Sequence, residues 1–433
     1  MSDDSLRILL VAHGFPPESC GGVEQHVSGL ARALAARGHA VHVYARTAHG
    51  TAFGLTDGTT EAGLVAVTRV AYRFEDVADL DGLYRNAALD EAFGRFLAAH
   101  GPFDVAHVHH LTGLSLGVLD RLRAAGVRTV LTLHDYWLMC PRGQMWHRRG
   151  EPCAAVEAAR CAECLATPFG PWLGARPHET VARLHARARE ALALPDVLVA
   201  PSAHAIPPFV ALGVPAERIA VVDNAVDVEH LAAVPELAPR LPGEPLRVGY
   251  LGTLIPSKGL DVLIDALQTL PPGTATLTVA GNVVPYHGDE GFVTRAFGRL
   301  RPTDRVLYRG PYQTADLPAL LEPLDCVVAP ALWAEAFGLT PREALAAGRP
   351  AIVSRIGGLA DAVRHGVDGF VVEPGDRVGL AAALAELAAD PGLAARLGRQ
   401  GRARPRGFAE MSEDLLAIYR GAAGAAVPRP SVG

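Results

Sequence analysis

The strongest constraint on this chain is a rhythm of short apolar runs alternating with amphipathic stretches, which fills both halves and breaks once. The run from Arg7 to His13 reads as a buried strand. Val27, Leu30, Ala31 and Leu34 then recur at helical spacing, Gly38 supplies a stop, and Ala40 to Tyr44 is the next strand. Further strands are predicted over 65–70, 105–109, 129–133, 197–200 and 218–222, with helices over 87–99, 116–125 and 179–194. Between Asn224 and Arg247 the pattern gives way to Pro235, Pro239, Pro242 and Pro245. It restarts with a strand at Arg247–Leu251 and runs through strands near 275–280, 306–309, 326–329, 351–353 and 369–372. Such alternation dictates parallel sheets covered by helices, an α/β class. At 433 residues the chain exceeds one ordinary core. The expected division is a doubly wound domain over 1–230, a linker over 231–246 and a second doubly wound domain over 247–405. A helix over 406–421 and a disordered tail over 422–433 complete the expectation.

Composition narrows the function classes. The formal net charge of −6 argues against a general nucleic-acid binder. No continuous apolar run reaches the length of a spanning helix, and the acidic start Ser2-Asp3-Asp4 is wrong for a signal peptide. A cytoplasmic protein is expected, with any membrane contact peripheral.

Two constellations carry chemistry. Thirty-nine of the forty basic residues are arginine, and the remaining one is Lys258. A compact ammonium suits tight contact with phosphate oxygens where a planar guanidinium would not fit. The plain alternative is a surface lysine that survived a coding bias. Lys258 follows an apolar strand and a glycine-marked turn and precedes a helix-like run from Gly259 to Leu270, the setting in which open sheets bind ligands. The second constellation runs from Glu335 through Phe337, Gly338, Leu339, Thr340 and Pro341 to Glu343, after the strand ending at Ala329. Pro341 is expected at the first helical position and Gly348 just past the last. Phe337 to Thr340 then form a helix entry whose free N–H groups attract phosphate. Glu343, in the first turn, suits a ribose diol, and Glu335 can reach toward a sugar. Taken singly, one is a dipole-favoured helix acid and the other a loop acid.

These motifs, with Gly21-Gly22, Asn224 to Asp227, Gly357-Gly358 and Glu373 to Asp376, resemble a retaining glycosyltransferase of family 4, the group 1 glycosyltransferases of GT-B architecture, over nearly the whole chain. The resemblance implies two Rossmann-like domains facing a central cleft, the first on the acceptor side and the second on the donor side, with a final helix crossing back to the first. It implies that Lys258 binds the donor diphosphate, Glu343 the ribose and Glu335 the transferred sugar. Phe337, Gly338, Leu339 and Thr340 lie close to sugar and phosphate, and Gly21 and Gly22 admit the phosphates. His134 touches the donor sugar, and Tyr312 lines the base. Thr253 stands where the family often has arginine, so one phosphate cation is missing, and Asp361 replaces a common glutamate. The donor implied is a UDP- or GDP-sugar and the acceptor a glycan, a lipid-linked intermediate or a small molecule, in cell-surface polysaccharide or glycoconjugate synthesis, with no metal or cofactor required for catalysis.

Several features stay outside that frame. Cys140, Cys153, Cys161 and Cys164 fall in an insertion over about 140–175. The last pair has metal-clip spacing, so the four form either a structural zinc site or a set of unpaired thiols. Their place beside His134 suggests a wall on the acceptor side. His107, His109 and His110 end a strand and read as catalytic, acceptor-binding or structural. Arg183, Arg187 and Arg189 give a helix that is either basic and lipid-facing or merely solvated. A nicotinamide oxidoreductase would need Gly-x-Gly-x-x-Gly after the first strand, which is absent. A nucleotide-sugar epimerase and a non-catalytic sugar-nucleotide binder remain as alternatives on the same architecture.

Overall fold

The computed structural model describes residues 5–49, 53–60, 63–286 and 288–421. The chain divides into two compact units. Of the described residues, unit 1 holds those up to His147, Cys153–Asn224 and Phe408–Gly421, while Arg148–Pro152 and Ala225–Gly407 belong to unit 2. The tail expected to be disordered lies outside the described residues.

Unit 1 is built on eight strands: β1 (Arg7–Ala12), β2 (Ala40–Thr47), β3 (Gly54–Thr59), β4 (Ala66–Ala71), β5 (Val105–Val108), β6 (Arg128–Thr132), β7 (Val197–Ala200) and β8 (Ile219–Val221). Their order across the sheet is β8-β7-β6-β5-β1-β2-β4-β3. All neighbours are parallel except β3 and β4. Sequence order reverses between β1 and β5, so the loops leaving β1, β5 and β6 share one edge, where open sheets hold ligands. The antiparallel edge strand β3 was not foreseen; its Gly54, Thr56, Asp57 and Gly58 lack the apolar alternation that marks a strand.

Helix α1 (Gly22–Ala36) buries Val27, Leu30, Ala31 and Leu34. Helix α2 (Ala158–Leu173) carries Cys161 and Cys164, with Pro168 and Pro171 at its non-helical break near Phe169. Helix α3 (Pro177–Ala193) turns its arginines onto the protein. Arg183 and Arg187 pair with Asp81, and Arg189 donates to the Leu212 carbonyl at 2.9 Å. Its basic face thus makes contacts within unit 1, with the Arg183 side chain still half exposed. The last described helix, Phe408–Tyr419, packs on α1: a Cβ on Gly29 would fall 2.2 Å from the Phe408 ring. Tyr419 OH lies 2.6 Å from Nδ1 of buried His107, whose Nε2 meets Thr132 Oγ1 at 2.7 Å. Unit 1 is therefore completed by residues that follow the main segment of unit 2 in sequence.

Unit 2 has six parallel strands: β9 (Leu246–Leu251), β10 (Ala275–Ala280), β11 (Arg305–Tyr308), β12 (Cys326–Ala329), β13 (Ala351–Ser354) and β14 (Gly369–Val372). Their order is β11-β10-β9-β12-β13-β14, reversing between β9 and β12. Helix α4 (Leu260–Thr269) follows β9, and helix α5 (Leu339–Ala346) follows β12. The segment expected as a linker is packed instead. Leu231 and Val234 join a buried cluster with Leu317, Leu321 and Val327. Arg240, 6% exposed, donates to the carbonyls of Leu387 and Ala388. The prolines prevent regular hydrogen bonding without preventing burial. Among the described residues no single helix is long and apolar enough to cross a membrane.

Candidate functional site

In unit 2 the site begins where β9 ends. Gly252, at φ +141°, turns the chain away from the sheet. Thr253 follows, then a helical turn over Pro256–Lys258 and Gly259 at φ +73°, which caps α4. A Cβ on Gly259 would sit 2.0 Å from the Pro330 carbonyl oxygen, so only glycine lets this loop lie against the loop leaving β12. The Leu332 amide donates to the Ser257 carbonyl at 2.8 Å and ties the two loops together. Lys258 Nζ then lies 2.7 Å from Glu335 Oε1 and 5.6 Å from the centre of the Trp333 ring.

The acid-bearing loop is backed by glycine as well. The Gly358 amide donates to the Glu335 carbonyl at 2.7 Å, and a Cβ on Gly357 would come 2.5 Å from that same oxygen. Gly338, at φ +80°, caps α5, so the helix begins at Leu339 and Pro341 is its third residue, not its first. The left-handed glycine, not the proline, starts the helix. The Arg342 guanidinium lies 3.7 Å from the centre of the Phe337 ring and donates to the carbonyls of Phe337, Gly338 and Gly358. Arg342 thus locks the helix entry, a role that went unread in the sequence.

Glu343 keeps some solvent access but is ringed by protein. Burial pushes its carboxyl up to about 7, where it is roughly half protonated at neutral pH. Tyr312 stands beside it; burial first, and then the Glu343 charge, raise the phenol well above its ordinary range. Lys258, Glu335, Glu343, Tyr312, Thr253 and the 337–340 entry therefore share the carboxyl edge of one sheet, around β9 and β12.

Unit 1 holds a second constellation at its own reversal point. A cavity of about 360 Å³ is lined by His13, Gly21, Gly22, Glu24, His110 and Asp135 among others, with Trp137 and Arg142 also on its wall. Glu24 Oε1 accepts from Ser19 Oγ at 2.5 Å and lies 3.3 Å from His13 Nε2. Burial alone would raise the Glu24 carboxyl, but the hydrogen bond and charge of His13, with Ser19, outweigh it and hold it at about 2. His110 Nδ1 accepts from the Thr112 amide at 3.2 Å, leaving Nε2–H to face Asp135 Oδ2 at 3.2 Å. Burial opposes the Asp135 charge, yet His110 and the Trp137 amide bring its carboxyl below the ordinary range. The rings of His13 and His110 meet at 4.4 Å between centres. Two carboxylate–histidine pairs thus face one cavity beside Gly21 and Gly22. Sequence reasoning passed over Glu24 and Asp135, although one stands two residues into the helix after Gly22 and the other follows His134.

His134 is not among the cavity-lining residues given above. Its Nε2 lies 3.0 Å from Nδ1 of His109, and the edge of His26 packs against it. Burial drives the imidazoles of His26, His109 and His134 toward the neutral form, His26 down to about 4. The four cysteines of the insertion are reduced. Burial first raises the Cys161 thiol to about 12, and Cys140, Cys153 and Cys164 each add to it, so the four lie within electrostatic reach of one another. Among the described residues, however, the triplets whose donor atoms approach within 4.8 Å are His26, His109, His134 and His42, Asp57, His100, not cysteines.

Residues 238–404 match the family described as glycosyl transferases group 1, and residues 20–230 match the one described as glycosyltransferase family 4. The glycogen synthase of Mycobacterium tuberculosis is 30% identical over 406 residues, spanning 92% of this chain and 90% of that protein. Among solved structures, sucrose-phosphate synthase from Thermosynechococcus elongatus superposes with a TM-score of 0.71 at 22% identity, covering 96% of this chain and 98% of that one. Anabaena HepE in complex with UDP-glucose superposes with a TM-score of 0.65 at 19% identity, covering 96% and 100%.

Proposed function

The chain belongs to the group 1 glycosyltransferases of GT-B fold, and on that premise we propose that unit 2 holds a nucleoside diphosphate sugar whose sugar is transferred to a hydroxyl of an acceptor held in the unit 1 cavity. The observation that carries this reading is the meeting of the single lysine with Glu335 at 2.7 Å, on the sheet edge that also bears Glu343 and the Gly338-capped helix. As the bond from the anomeric carbon to the diphosphate breaks, the leaving oxygens keep the electron pair and need positive charge. Lys258 and the N–H groups at the start of α5 supply it. Glu335 faces the sugar, and Glu343 in its ionised form accepts both ribose hydroxyls. Retention of anomeric configuration is part of the proposal and follows from the family resemblance.

The cavity of unit 1 suits a polyhydroxylated acceptor. The ionised Glu24 and Asp135 accept from sugar hydroxyls, their histidine partners share those bonds, and Trp137 offers an aromatic face. A glycan, a lipid-linked saccharide or a small sugar-like molecule all present that chemistry. Labelled UDP-, GDP- and dTDP-sugars incubated with the purified chain test the reading, beginning with UDP-glucose, with which HepE was solved. Slow donor hydrolysis, or transfer to an added saccharide, is expected. Donor interconversion without hydrolysis, or no calorimetric heat with any sugar nucleotide, overturns it.

A further inference from the structure

Trp333, which the proposed chemistry does not use, stands beside the single lysine. It is 8% exposed, and its ring centre lies 5.6 Å from Lys258 Nζ. The two meet because the Leu332 amide donates to the Ser257 carbonyl, which sets the residue after each of them side by side. The turn that carries the ring is fixed. The Glu335 amide donates to the Trp333 carbonyl at 3.0 Å, and a Cβ on Gly357 would come 2.8 Å from the Glu335 nitrogen. The indole N–H is buried and has no hydrogen-bond partner. A buried donor left unpaired is costly and calls for an explanation. The ring is seated here for its face, which meets the ammonium, and not for its polar edge.

An aromatic face attracts a cation within about 6 Å of its centre through the ring quadrupole, without taking up its N–H donors as a carboxylate does. Glu335 holds the same ammonium differently, by charge and a hydrogen bond at 2.7 Å. An anion reaching Lys258 competes with Glu335 for those donors. It does not compete with the indole, whose face repels it. We propose that Trp333 is a positioning residue of the donor site, one that keeps the Lys258 ammonium in place while a diphosphate displaces Glu335 from it. The inference rests on the donor reading of unit 2.

The same ring gives a reason for lysine at this position in a chain whose other basic residues are all arginine. A guanidinium is planar and stacks on aromatic faces. Lys258→Arg would lay its donors in a plane along the indole, whereas an ammonium rests on the ring as a point charge and turns its three N–H groups toward a ligand.

The solitary lysine makes a direct test available. The full chain labelled with carbon-13 at the lysine ε position gives one side-chain methylene signal. Without ligand that signal should be moved upfield by the indole ring current, stay partly moved in Trp333→Phe, and lose the displacement in Trp333→Leu. UDP and GDP are then titrated by calorimetry. Trp333→Leu should weaken the tighter of the two about tenfold, with far-ultraviolet circular dichroism unchanged, and Trp333→Phe about threefold or less. In a Lys258→Ala background Trp333→Leu should cost no further affinity. A lysine signal indifferent to Trp333→Leu, unaltered nucleotide affinity in that variant, or an equal loss in the Lys258→Ala background overturns the proposal. Nucleotide binding that ignores Trp333→Leu defeats this inference alone, whereas a wild-type chain that binds neither nucleotide defeats the donor reading on which it rests.

Discussion

Lys258 Nζ lies 2.7 Å from Glu335 Oε1, joining side chains 77 residues apart in one charge pair on the carboxyl edge of a parallel sheet. The pair is partly exposed, 27% and 13%, so its worth to stability is small. Its interest is chemical: on the proposed function, a diphosphate bound at this edge would compete with Glu335 for the ammonium and free the acid to face the sugar.

Lys258→Arg should therefore keep the fold and lose activity. A guanidinium can grip Glu335 with two parallel hydrogen bonds, tightening the pair that a diphosphate must share. The expected loss in kcat/KM for donor hydrolysis is about 100-fold, or about 2.7 kcal/mol, with the melting temperature unchanged. Wild-type turnover in this variant would remove Lys258 from the mechanism.

Glu343 gives a pH prediction. Its folded carboxyl titrates near 7 rather than 4.5, because burial disfavours the charge. Only the ionised form accepts both hydroxyls of a diol, so donor KM should fall as pH rises through about 7, and Glu343→Gln should flatten that profile with a raised KM. The stability sign is opposite. With the folded pKa above the unfolded one, the native state binds more protons between about 4.5 and 7, so this group's contribution to stability declines as pH rises through that window. Glu343→Gln should consequently raise the melting temperature at pH 8 and change it little at pH 4. The full effect is up to about 3 kcal/mol.

Gly259→Ala tests the contact between the two loops. The new methyl would stand 2.0 Å from the Pro330 oxygen, on a backbone at φ +73°. A destabilisation of about 1–3 kcal/mol is expected, with a larger loss in donor affinity than in acceptor affinity because the Lys258 turn must move. Chemical denaturation and separate KM measurements check both parts.

Asp135→Asn removes the carboxylate partner of His110 in the unit 1 cavity. Acceptor KM should rise about tenfold, or about 1.4 kcal/mol, while donor KM changes less. Equal shifts in both would detach the cavity from the acceptor.

The parallel alternation and the placing of Lys258, Glu335 and Glu343 were legible because they depend on local order: an apolar run, a glycine turn and a helix start put these residues on a sheet edge whatever lies elsewhere. What escaped depends on three-dimensional company. Glu24 and Asp135 read as ordinary acids until β1, β5 and β6 bring His13 and His110 beside them. Arg342 drew no reading from the sequence, although three carbonyls meet its guanidinium. Pro341 was expected to start α5, but Gly338 starts it through a positive φ that composition alone could not assign to one of several candidates. The proline-rich stretch misled most, because loss of periodicity signals loss of regular hydrogen bonding and says nothing about whether Leu231 and Val234 are buried.

The return of the final helix to α1 sets an order on biosynthesis. Among the described residues, unit 2 apart from Arg148–Pro152 comes from one uninterrupted segment ending at Gly407, whereas unit 1 lacks Phe408 and Tyr419 until the stretch after Gly407 has been made. Unit 1 is thus begun before the main segment of unit 2 and completed after it. A nascent chain stopped near residue 407 would carry a whole unit 2 beside a unit 1 with the Gly29 face bare and His107 without its phenol partner.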